Sequence, residues 1–268
     1  MRQVSGLVVR HYHSEGRPVL VYLPGIHGDW TLVTSFRLAV WPAVSFVELA
    51  YPEIADWQMA DYATAVAEAL ERMAIEKFWV LAESFGSLVA WALLEQCSPD
   101  AGVSRGRAGL LNPDGLILAG GFVRHPWPWG ALGLAALGRR MPQPVHHHLL
   151  RGYARIAGWR HRHAPETIAT VEEFIARRTP ENRRAIQARL RLVARADYRR
   201  VAAQTQLPVY ALAGALDPLV PWWLVWPWLR SHCPGFRETR LWWWADHNVL
   251  GTAPRQAAAA VLGWMNVL

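Results

Sequence analysis

The sequence predicts an α/β fold in which helices flank a mostly parallel sheet, and two observations support this prediction. Short, continuous apolar runs such as Val19–Leu23 have the length and composition of strands that are buried on both faces of a parallel sheet. Segments with helical spacing separate these runs, and strand and helix alternate three times before residue 97. Such alternation is typical of a parallel sheet with covering helices.

Composition is consistent with a globular domain that has a large core. The chain has 268 residues, of which 52% are hydrophobic and 18% are charged, and this excludes a disordered chain. Its 16 tryptophans are far more than usual, and their aromatic side chains must line either a large core or an apolar cleft. Cys97 and Cys233 lack metal-ligand spacing, and the sequence leaves open whether they form a disulfide.

Membrane and export signals are not expected. The first six residues lack the charged and then apolar layout of a signal peptide. The longest apolar runs, 127–138 and 219–229, are shorter than the roughly 18 to 20 residues that span a bilayer. The sequence therefore predicts a cytoplasmic protein without a transmembrane segment.

The first third of the chain supplies three predicted strand and helix pairs. A strand at 7–13 is expected at an edge of the sheet. The elements after it are the strand Val19–Leu23, a helix within 31–39, a strand at 44–49, a helix within 57–73 and a strand from Phe78.

The strand that begins near Phe78 ends abruptly at Ser84. In the segment Ala82-Glu83-Ser84-Phe85-Gly86, small residues stand two places before and two places after the serine, and a helix is predicted at 88–96. Small residues let the backbone turn sharply, which exposes the serine at the carboxyl edge of the sheet. This arrangement resembles the nucleophile elbow of the α/β-hydrolase family, with Ala82 where the commonest form has glycine. The resemblance implies that Ser84 is a nucleophile.

The loop after Val19–Leu23 contains Pro24-Gly25-Ile26-His27-Gly28. In the family that the chain resembles, a backbone N–H of this loop and that of the residue after the nucleophile bind the oxyanion. Pro24-Gly25 stands where His-Gly often stands in the family. The resemblance therefore assigns the two donors to Ile26 and Phe85.

The later strands supply candidates for the acid and the base. A polar loop is predicted at 98–113, and the next strand ends at Gly120 and Gly121 without a carboxylate, which moves the search for an acid downstream. Asp217 follows the strand at 207–214, and His247 follows the last strand at 239–244, before a closing helix at 252–267.

The order Ser84, Asp217, His247 is the family's order, so the resemblance implies a catalytic triad of these three residues. An N-cap or turn role for Asp217, ahead of a helix from Trp222, remains the alternative.

Between residues 122 and 205 the alternation stops, and the sequence becomes helical and rich in arginine. The resemblance implies a helical cap inserted after strand 6, which divides the chain into a core at 1–121 and 206–268 and a cap at 122–205. The apolar stretch at 127–137 is expected over the active site, although a helix that packs on the core without touching substrate remains the alternative. The predicted pocket residues are His27, Trp30, Phe122, Trp127 and Trp129.

The positive charge of the chain is concentrated in this predicted cap. Residues 122–205 contain 16 arginines and 5 acidic residues, whereas the rest of the chain has a net charge of −4. Solvated helical faces are the ordinary reason for such a charge run. The alternative is an electropositive rim that attracts an acidic partner, such as an acyl carrier protein.

Metal and cofactor sites are not predicted. His146, His147 and His148 are consecutive and point in different directions, and neither they nor the pair His161 and His163 are accompanied by a set of carboxylates or cysteines. No nucleic-acid motif accompanies the basic charge, so a nucleic-acid partner is not expected.

The expected function is that of a serine hydrolase that cleaves a small-molecule carboxylic ester with an apolar acyl or alcohol group. A thioesterase or esterase that acts on acyl groups of a carrier protein or coenzyme A is an alternative within the same class. A ligand-binding protein that uses the pocket without turnover is the alternative from another class. The hydrolase is favoured because a pure binder does not need Asp217 and His247 in the order of a triad.

Overall fold

The computed structural model describes residues 2–97, 111–162 and 164–267. Within these residues, eight strands form one sheet. The strands are β1 Arg2–Val4, β2 Leu7–Tyr12, β3 Val19–Leu23, β4 Ser45–Ala50, β5 Lys77–Glu83, β6 Asn112–Ala119, β7 Val209–Gly214 and β8 Phe236–Trp242. They lie side by side in the order β1-β2-β4-β3-β5-β6-β7-β8.

The sheet is mostly parallel. The pairs β1/β2 and β2/β4 are antiparallel, and every pair from β4/β3 to β7/β8 is parallel. The carboxyl ends of β3, β5, β6, β7 and β8 therefore meet at one edge, where the loops that follow them lie. The predicted fold class is confirmed.

The expectation that the strand at 7–13 lies at an edge is wrong. β2 lies between β4 and the short strand β1, whose residue Arg2 pairs with Val9. A tight turn at Ser5 and Gly6 reverses the chain, with positive φ angles of 50° and 82°. β1 has only three residues, too few for an alternating pattern to reveal it in the sequence.

Helices cover both faces of the sheet. α2 Met59–Arg72, α3 Phe85–Cys97 and α10 Trp222–His232 bury residues in the core on one face. The other face is covered by α1 Thr34–Val40, α11 Val249–Thr252 and α12 Pro254–Trp264. The molecule thus has three layers, helix, sheet and helix.

The strand side chains alternate between these two cores. In β3, Val21 and Leu23 join the core under α2 and α3, and Leu20 and Tyr22 join the core under α1 and α12. All four are at most 1% exposed. Full burial of one large apolar side chain contributes about 1.5–3 kcal/mol to folding, so these central strands make a rigid base for the loops at the carboxyl edge.

The chain between β6 and β7 is helical, as predicted, and we call residues 122–205 the cap segment. Its helices are α4 Pro128–Arg140, α5 Gln143–Arg160, α6 Pro165–Ile168, α7 Val171–Ala176, α8 Pro180–Arg195 and α9 Arg199–Gln204. α4 packs on α8, and α6 packs on α1.

Residues 98–110 of the predicted polar loop lie outside the described residues. Cys97 and Cys233 are free thiols. Within the part of the chain that the structure describes, no helix combines the length and the apolar character needed to cross a membrane.

Candidate active site

Ser84 occupies a strained turn between β5 and α3. Its φ angle is +49°, in the left-handed region that costs energy for any residue but glycine. Gly86 allows the close approach of this turn to the loop after β3, because a Cβ there would lie 2.3 Å from the carbonyl oxygen of Leu23. The amide of Ser84 donates to Ala119 O at 3.0 Å and ties the turn to the end of β6.

Two hydrogen bonds connect Ser84, His247 and Asp217. Ser84 Oγ lies 2.8 Å from His247 Nε2, and His247 Nδ1 lies 2.7 Å from Asp217 Oδ2. The three residues come from the ends of β5, β7 and β8, so residues far apart in the sequence meet at the carboxyl edge of the sheet.

Glycines make room for the loop that carries His247. Gly120 has a φ of +57°, and a Cβ there would lie 3.1 Å from His247 O and 3.3 Å from its Nδ1. A Cβ at Gly214 would lie 2.2 Å from Ala245 O. The strand ends at β6 and β7 thus carry glycine because the histidine loop packs directly on them.

The two carboxylate oxygens of Asp217 have different partners. Oδ1 accepts hydrogen bonds from the amides of Leu219 and Val220 at 2.8 and 2.9 Å, and Oδ2 faces His247. The side chain of Asp217 is 1% exposed. The geometry is therefore compatible with both sequence interpretations of Asp217, the turn role and the triad role. One oxygen orders the turn before α10, and the other contacts the imidazole.

The environment raises the pKa of His247 above its ordinary value. Burial alone lowers the pKa, because it disfavours the imidazolium, but the hydrogen bond and charge of Asp217 and the nearby Glu83 and Asp246 together outweigh burial. A histidine with this balance accepts a proton readily from a neighbouring hydroxyl.

The two predicted oxyanion donors belong to the loop after β3 and to the start of α3. Phe85 is the first residue of α3, where backbone N–H groups have no partner inside the helix. Within the described residues, no hydrogen bond is made by the N–H of Ile26 or Phe85. Both remain available to a ligand, and their role as oxyanion donors stays a prediction.

Arginine side chains of the cap segment hold the loop that contains Ile26. Arg189, on α8, is fully buried and donates through Nη1 to Ile26 O and through Nη2 to Pro52 O, both at 2.9 Å. Its Nε donates to the Tyr62 hydroxyl at 3.2 Å. A Cβ on Gly28 would lie 2.4 Å from Arg189 Nη1, so the loop fits closely around this guanidinium.

A second group of polar contacts holds the next carbonyl of the loop. Arg178 Nη1 and Asn182 Nδ2 each donate to His27 O at 3.3 Å. Arg178 Nη2 also donates to Asp29 Oδ2 at 2.6 Å, in an ion pair that is almost fully buried. The cap segment thereby fixes successive carbonyls of the loop, and we call Arg178, Asn182 and Arg189 the loop clamp.

Sequence reasoning missed the loop clamp. A signal existed, because Ala185, Arg189 and Val193 recur every four residues and all lie on the buried side of α8. An arginine within such an apolar row departs from the usual exposure of this residue type.

A half-buried carboxylic group precedes Ser84. The Tyr22 hydroxyl donates a hydrogen bond to Glu83 Oε2. Burial raises the pKa of Glu83, although the hydrogen bond from Tyr22 acts in the opposite direction. Burial also raises the pKa of Tyr22, which keeps it protonated as a donor.

The five predicted pocket residues lie in different surroundings. Burial and the charge of Arg178 lower the pKa of His27 to about 3, and its ring packs edge-to-face on Phe174. Trp30 and Phe122 are core residues, 2% and 1% exposed. Trp127 and Trp129, at the start of α4, are 47% and 82% exposed. The assignment of these residues to a substrate pocket stays a prediction.

The histidines of the cap segment form no described metal site. The side chains of His146 and His147, and all of His163, lie outside the described residues. His161 is buried, and its Nδ1 lies 3.0 Å from Gly251 O. Among the residues that the structure describes, no group of three or more histidine, cysteine, aspartate or glutamate side chains could hold a metal ion.

Sequence comparisons do not identify relatives of this chain. No protein-family model matches it, and no curated protein matches it either.

Structural comparison finds many similar proteins. The enol-lactonase from Burkholderia xenovorans LB400 superposes with a TM-score of 0.77 at 15% identity, over 99% of both chains. An esterase from Rhodococcus sp. ECU1013 has a TM-score of 0.73 at 16% identity, over 97% of this chain and 94% of its own. An α/β hydrolase from a Medee basin deep-sea metagenome has a TM-score of 0.69 at 14% identity, over 97% and 94%. The chain has the α/β-hydrolase fold.

Proposed function

We propose that this protein is a serine hydrolase that cleaves a small-molecule carboxylic ester through an acyl-enzyme. The observation that carries the proposal is the continuous pair of hydrogen bonds from Ser84 Oγ through His247 to Asp217. The same fold occurs in an enol-lactonase and in esterases. A shared fold does not fix the chemistry, so the proposal depends mainly on these three side chains.

Acylation begins with attack by Ser84 Oγ on the carbonyl carbon of the ester. His247 Nε2 accepts the hydroxyl proton, and Asp217 stabilises the resulting imidazolium through Nδ1. The N–H groups of Ile26 and Phe85 stabilise the negative oxygen of the tetrahedral intermediate. The intermediate collapses, the C–O bond to the alcohol breaks, and His247 returns the proton to the departing alcohol.

Deacylation repeats these steps with water. His247 takes a proton from the water as its oxygen attacks the acyl carbon, and a second tetrahedral intermediate forms. Its collapse breaks the bond to Ser84 Oγ, which regains a proton from His247. The products are a carboxylic acid and the free enzyme, and no cofactor is needed for either step.

An apolar acyl or alcohol group is the proposed substrate feature. Trp127 supports it, since this aromatic side chain is 47% exposed directly before α4. Apolar groups of a substrate gain free energy when they leave water for such a surface.

The test is covalent labelling by a fluorophosphonate, followed by intact-mass measurement. We expect one label per chain, located at Ser84, and hydrolysis of p-nitrophenyl esters with a preferred acyl length. Ser84→Ala should lose both labelling and at least about 10,000-fold of kcat, because the residual rate comes only from binding and the oxyanion donors. Ser231→Ala, at an exposed position on α10, is the matched control and should keep both.

Two results would contradict the proposal. Wild-type turnover by Ser84→Ala would exclude this serine as the nucleophile. A folded wild-type protein that neither labels nor hydrolyses esters would favour the ligand-binding alternative. Labelling at Ser84 without ester turnover would retain an activated serine but move the substrate to another acyl compound, such as a thioester.

A further inference from the structure

The outer surfaces of α4 and α5 are unusually apolar for a protein surface. On α5, Val145, Leu149, Ile156 and Trp159 are 47%, 55%, 53% and 66% exposed. They follow one another at intervals of four, seven and three residues, which places them along one side of the helix. An amphipathic helix normally turns such a row towards the core, whereas α5 turns it outwards.

The neighbouring helix α4 continues this character. Trp129 and Leu137 are 82% and 58% exposed, and they lie two turns apart on the side away from the buried Ala131 and Ala135. Only Met141 and Pro142 connect the two helices. We call the exposed apolar residues of these two consecutive helices the outer cap face, namely Trp129, Leu137, Val145, Leu149, Ile156 and Trp159.

The charges that α4 and α5 themselves carry have one sign. Residues 115–165 contain seven arginines and not one aspartate or glutamate. Arg139, Arg140 and Arg151 are exposed and form no ion pair with any described carboxylate. Solvated helical faces usually mix both signs, so a run of this length without an acid is not an ordinary solvated surface.

A separate cavity of about 200 Å³ between α4 and α8, on the side of α4 that carries Ala135, combines the same two properties. Its lining consists of three apolar side chains and three arginines, namely Leu132, Ala135, Ala136, Arg139, Arg191 and Arg195. Such a lining suits a group with an apolar part and a negative charge.

We propose that the outer cap face binds the surface of a bilayer that contains anionic lipids. Helices of this kind lie in the plane of the interface, with Trp, Leu and Ile among the acyl chains and arginines among the headgroups. Each arginine near an anionic leaflet strengthens binding by about fivefold at physiological salt. A second copy of this chain is disfavoured as the occupant, because it would bring two strongly positive surfaces together. This inference does not depend on the proposed esterase activity.

The test is sedimentation of the full chain with large vesicles. We expect the protein to pellet with vesicles of phosphatidylcholine and about 30% phosphatidylglycerol, to pellet much less with phosphatidylcholine alone, and to be released by high salt. The double variant Arg140→Gln, Arg151→Gln should bind anionic vesicles about 25-fold more weakly, because it loses two arginines at about fivefold each.

A second variant tests the apolar part of the surface. Leu149→Ser with Trp159→Ser should weaken binding at least about tenfold, since two large apolar side chains no longer enter the acyl region. Trp41→Ser is the matched control. Trp41 is 41% exposed at the end of α1, four residues before the start of β4, and therefore lies at the opposite edge of the sheet from Ser84. It should bind like the wild type. Fluorophosphonate labelling and circular dichroism check that each variant is folded.

Four results would overturn the proposal. The wild type could fail to pellet with anionic vesicles even at low salt, or all variants could pellet like the wild type. Sedimentation velocity could instead reveal a dimer that Leu149→Ser with Trp159→Ser dissociates, with no vesicle binding, and a second copy would then be the occupant. Binding to an acidic protein but not to anionic vesicles would assign the surface to a protein partner. If the apolar variant does not fold, the arginine variant alone decides, because its side chains are exposed.

Discussion

Asp217 serves two purposes with one side chain, and the two can be separated by a single substitution. Its Oδ1 orders the backbone at Leu219 and Val220, and its Oδ2 faces His247 Nδ1. Asparagine has nearly the same shape as aspartate, and its amide oxygen can keep the two backbone hydrogen bonds. Its NH₂ group must then face the imidazole, which favours the tautomer with an unprotonated Nδ1 and a protonated Nε2. A protonated Nε2 cannot accept the proton of Ser84.

We therefore expect Asp217→Asn to fold normally and to lose activity. In the proposed mechanism kcat should fall by about 10,000-fold, because the wrong tautomer blocks proton transfer. The midpoint of thermal unfolding should remain close to that of the wild type, since the turn keeps its hydrogen bonds. Steady-state kinetics and a thermal melt of the same sample measure both quantities.

Asp217→Ala is the comparison for this variant, because it removes the hydrogen bonds of both oxygens. It should lose activity and also unfold at a lower temperature. An active Asp217→Asn would contradict the orienting role of the aspartate. Equal loss of stability in the two variants would contradict the division of labour between its oxygens.

Glu83 is the residue whose burial should be visible in the pH dependence of stability. Its pKa in the folded protein is raised by burial, above its value in the unfolded chain. A carboxyl group whose pKa is raised in the folded state disfavours folding once the pH exceeds its pKa in the unfolded chain. On folding, the group must then either take up a proton or keep its charge in a poorly solvated place, and both cost free energy. The contribution of Glu83 is thus least unfavourable in acid and becomes unfavourable as the pH rises.

We expect Glu83→Gln to raise the midpoint of thermal unfolding more at about pH 8 than at about pH 4. Glutamine cannot ionise, yet its amide oxygen can still accept the hydrogen bond from Tyr22. Calorimetry of the wild type and the variant at the two pH values measures the difference. A stabilisation that is the same at both values would contradict the assigned cause, since a pH-independent gain would arise from packing. A larger stabilisation in acid would reverse the sign of the argument.

At the scale of elements, the sequence predicts most clearly those that are buried on two sides. β3 is observed at the predicted bounds, Val19–Leu23, because a central strand of a parallel sheet is apolar throughout. β8 begins at Phe236, three residues before the predicted start, since neither face of this edge strand is fully covered and it can include Arg237 and Glu238. Trp243 and Trp244 were predicted as strand but lie in the turn after β8. Their apolar character alone did not distinguish a strand from an exposed turn.

The residues around Ser84 also differ in how well the sequence predicts them. Ser84, Asp217 and His247 could be selected from the sequence because each follows an apolar strand, and the carboxyl ends of parallel strands meet at one edge. The row Ala185, Arg189 and Val193 marks Arg189 as buried, but it does not reveal the contact with Ile26, which joins residues that are 163 positions apart. No local pattern in the sequence specifies how a helix of the cap segment docks on a loop.

The docking of α8 leads to a prediction about the loop after β3. In the proposed mechanism the Ile26 N–H acts mainly on the transition state, and the hydrogen bonds to neighbouring carbonyls hold it in place. Arg189→Met should therefore lower kcat by about 100-fold and change KM little. Arg189→Lys keeps the charge but loses the fork of donors, so it should fall between the wild type and Arg189→Met. Rates are measured per site titrated with fluorophosphonate, so that unfolded protein does not contribute.

Arg184→Met is the matched control for these variants. Arg184 is on the same helix, with its side chain 66% exposed and paired with Glu181. This variant should retain the wild-type kcat and KM. If Arg189→Met had the wild-type kcat per titrated site, the clamp would stabilise the fold without positioning the loop. A rise in KM alone would instead indicate that Arg189 shapes the substrate site.

At the scale of the whole molecule, charge is divided between the two parts of the chain. The cap segment has a net charge of +11, and the remaining residues have a net charge of −4. The arginines nearest the loop after β3, Arg178 and Arg189, are buried and hydrogen-bonded. In 0.1 M salt, the interaction between exposed charges more than about 10 Å apart is largely screened. The interaction between buried charges is screened much less. Added salt therefore acts on the outer arginines and leaves the loop clamp intact.

This division predicts different salt responses for different substrates. Hydrolysis of a small neutral ester should change less than about twofold in kcat/KM between roughly 0.05 and 0.5 M sodium chloride, because Asp217 and the loop clamp are buried and salt screens buried pairs little. An acyl group carried by an acidic carrier protein should instead be hydrolysed much more slowly at the higher salt, if the carrier approaches the exposed arginines. Measuring both substrates with one enzyme preparation controls for any effect of salt on the fold. Equal salt responses would exclude electrostatic capture of a carrier, and a steep loss with the neutral ester would show that exposed arginines act on the reaction itself.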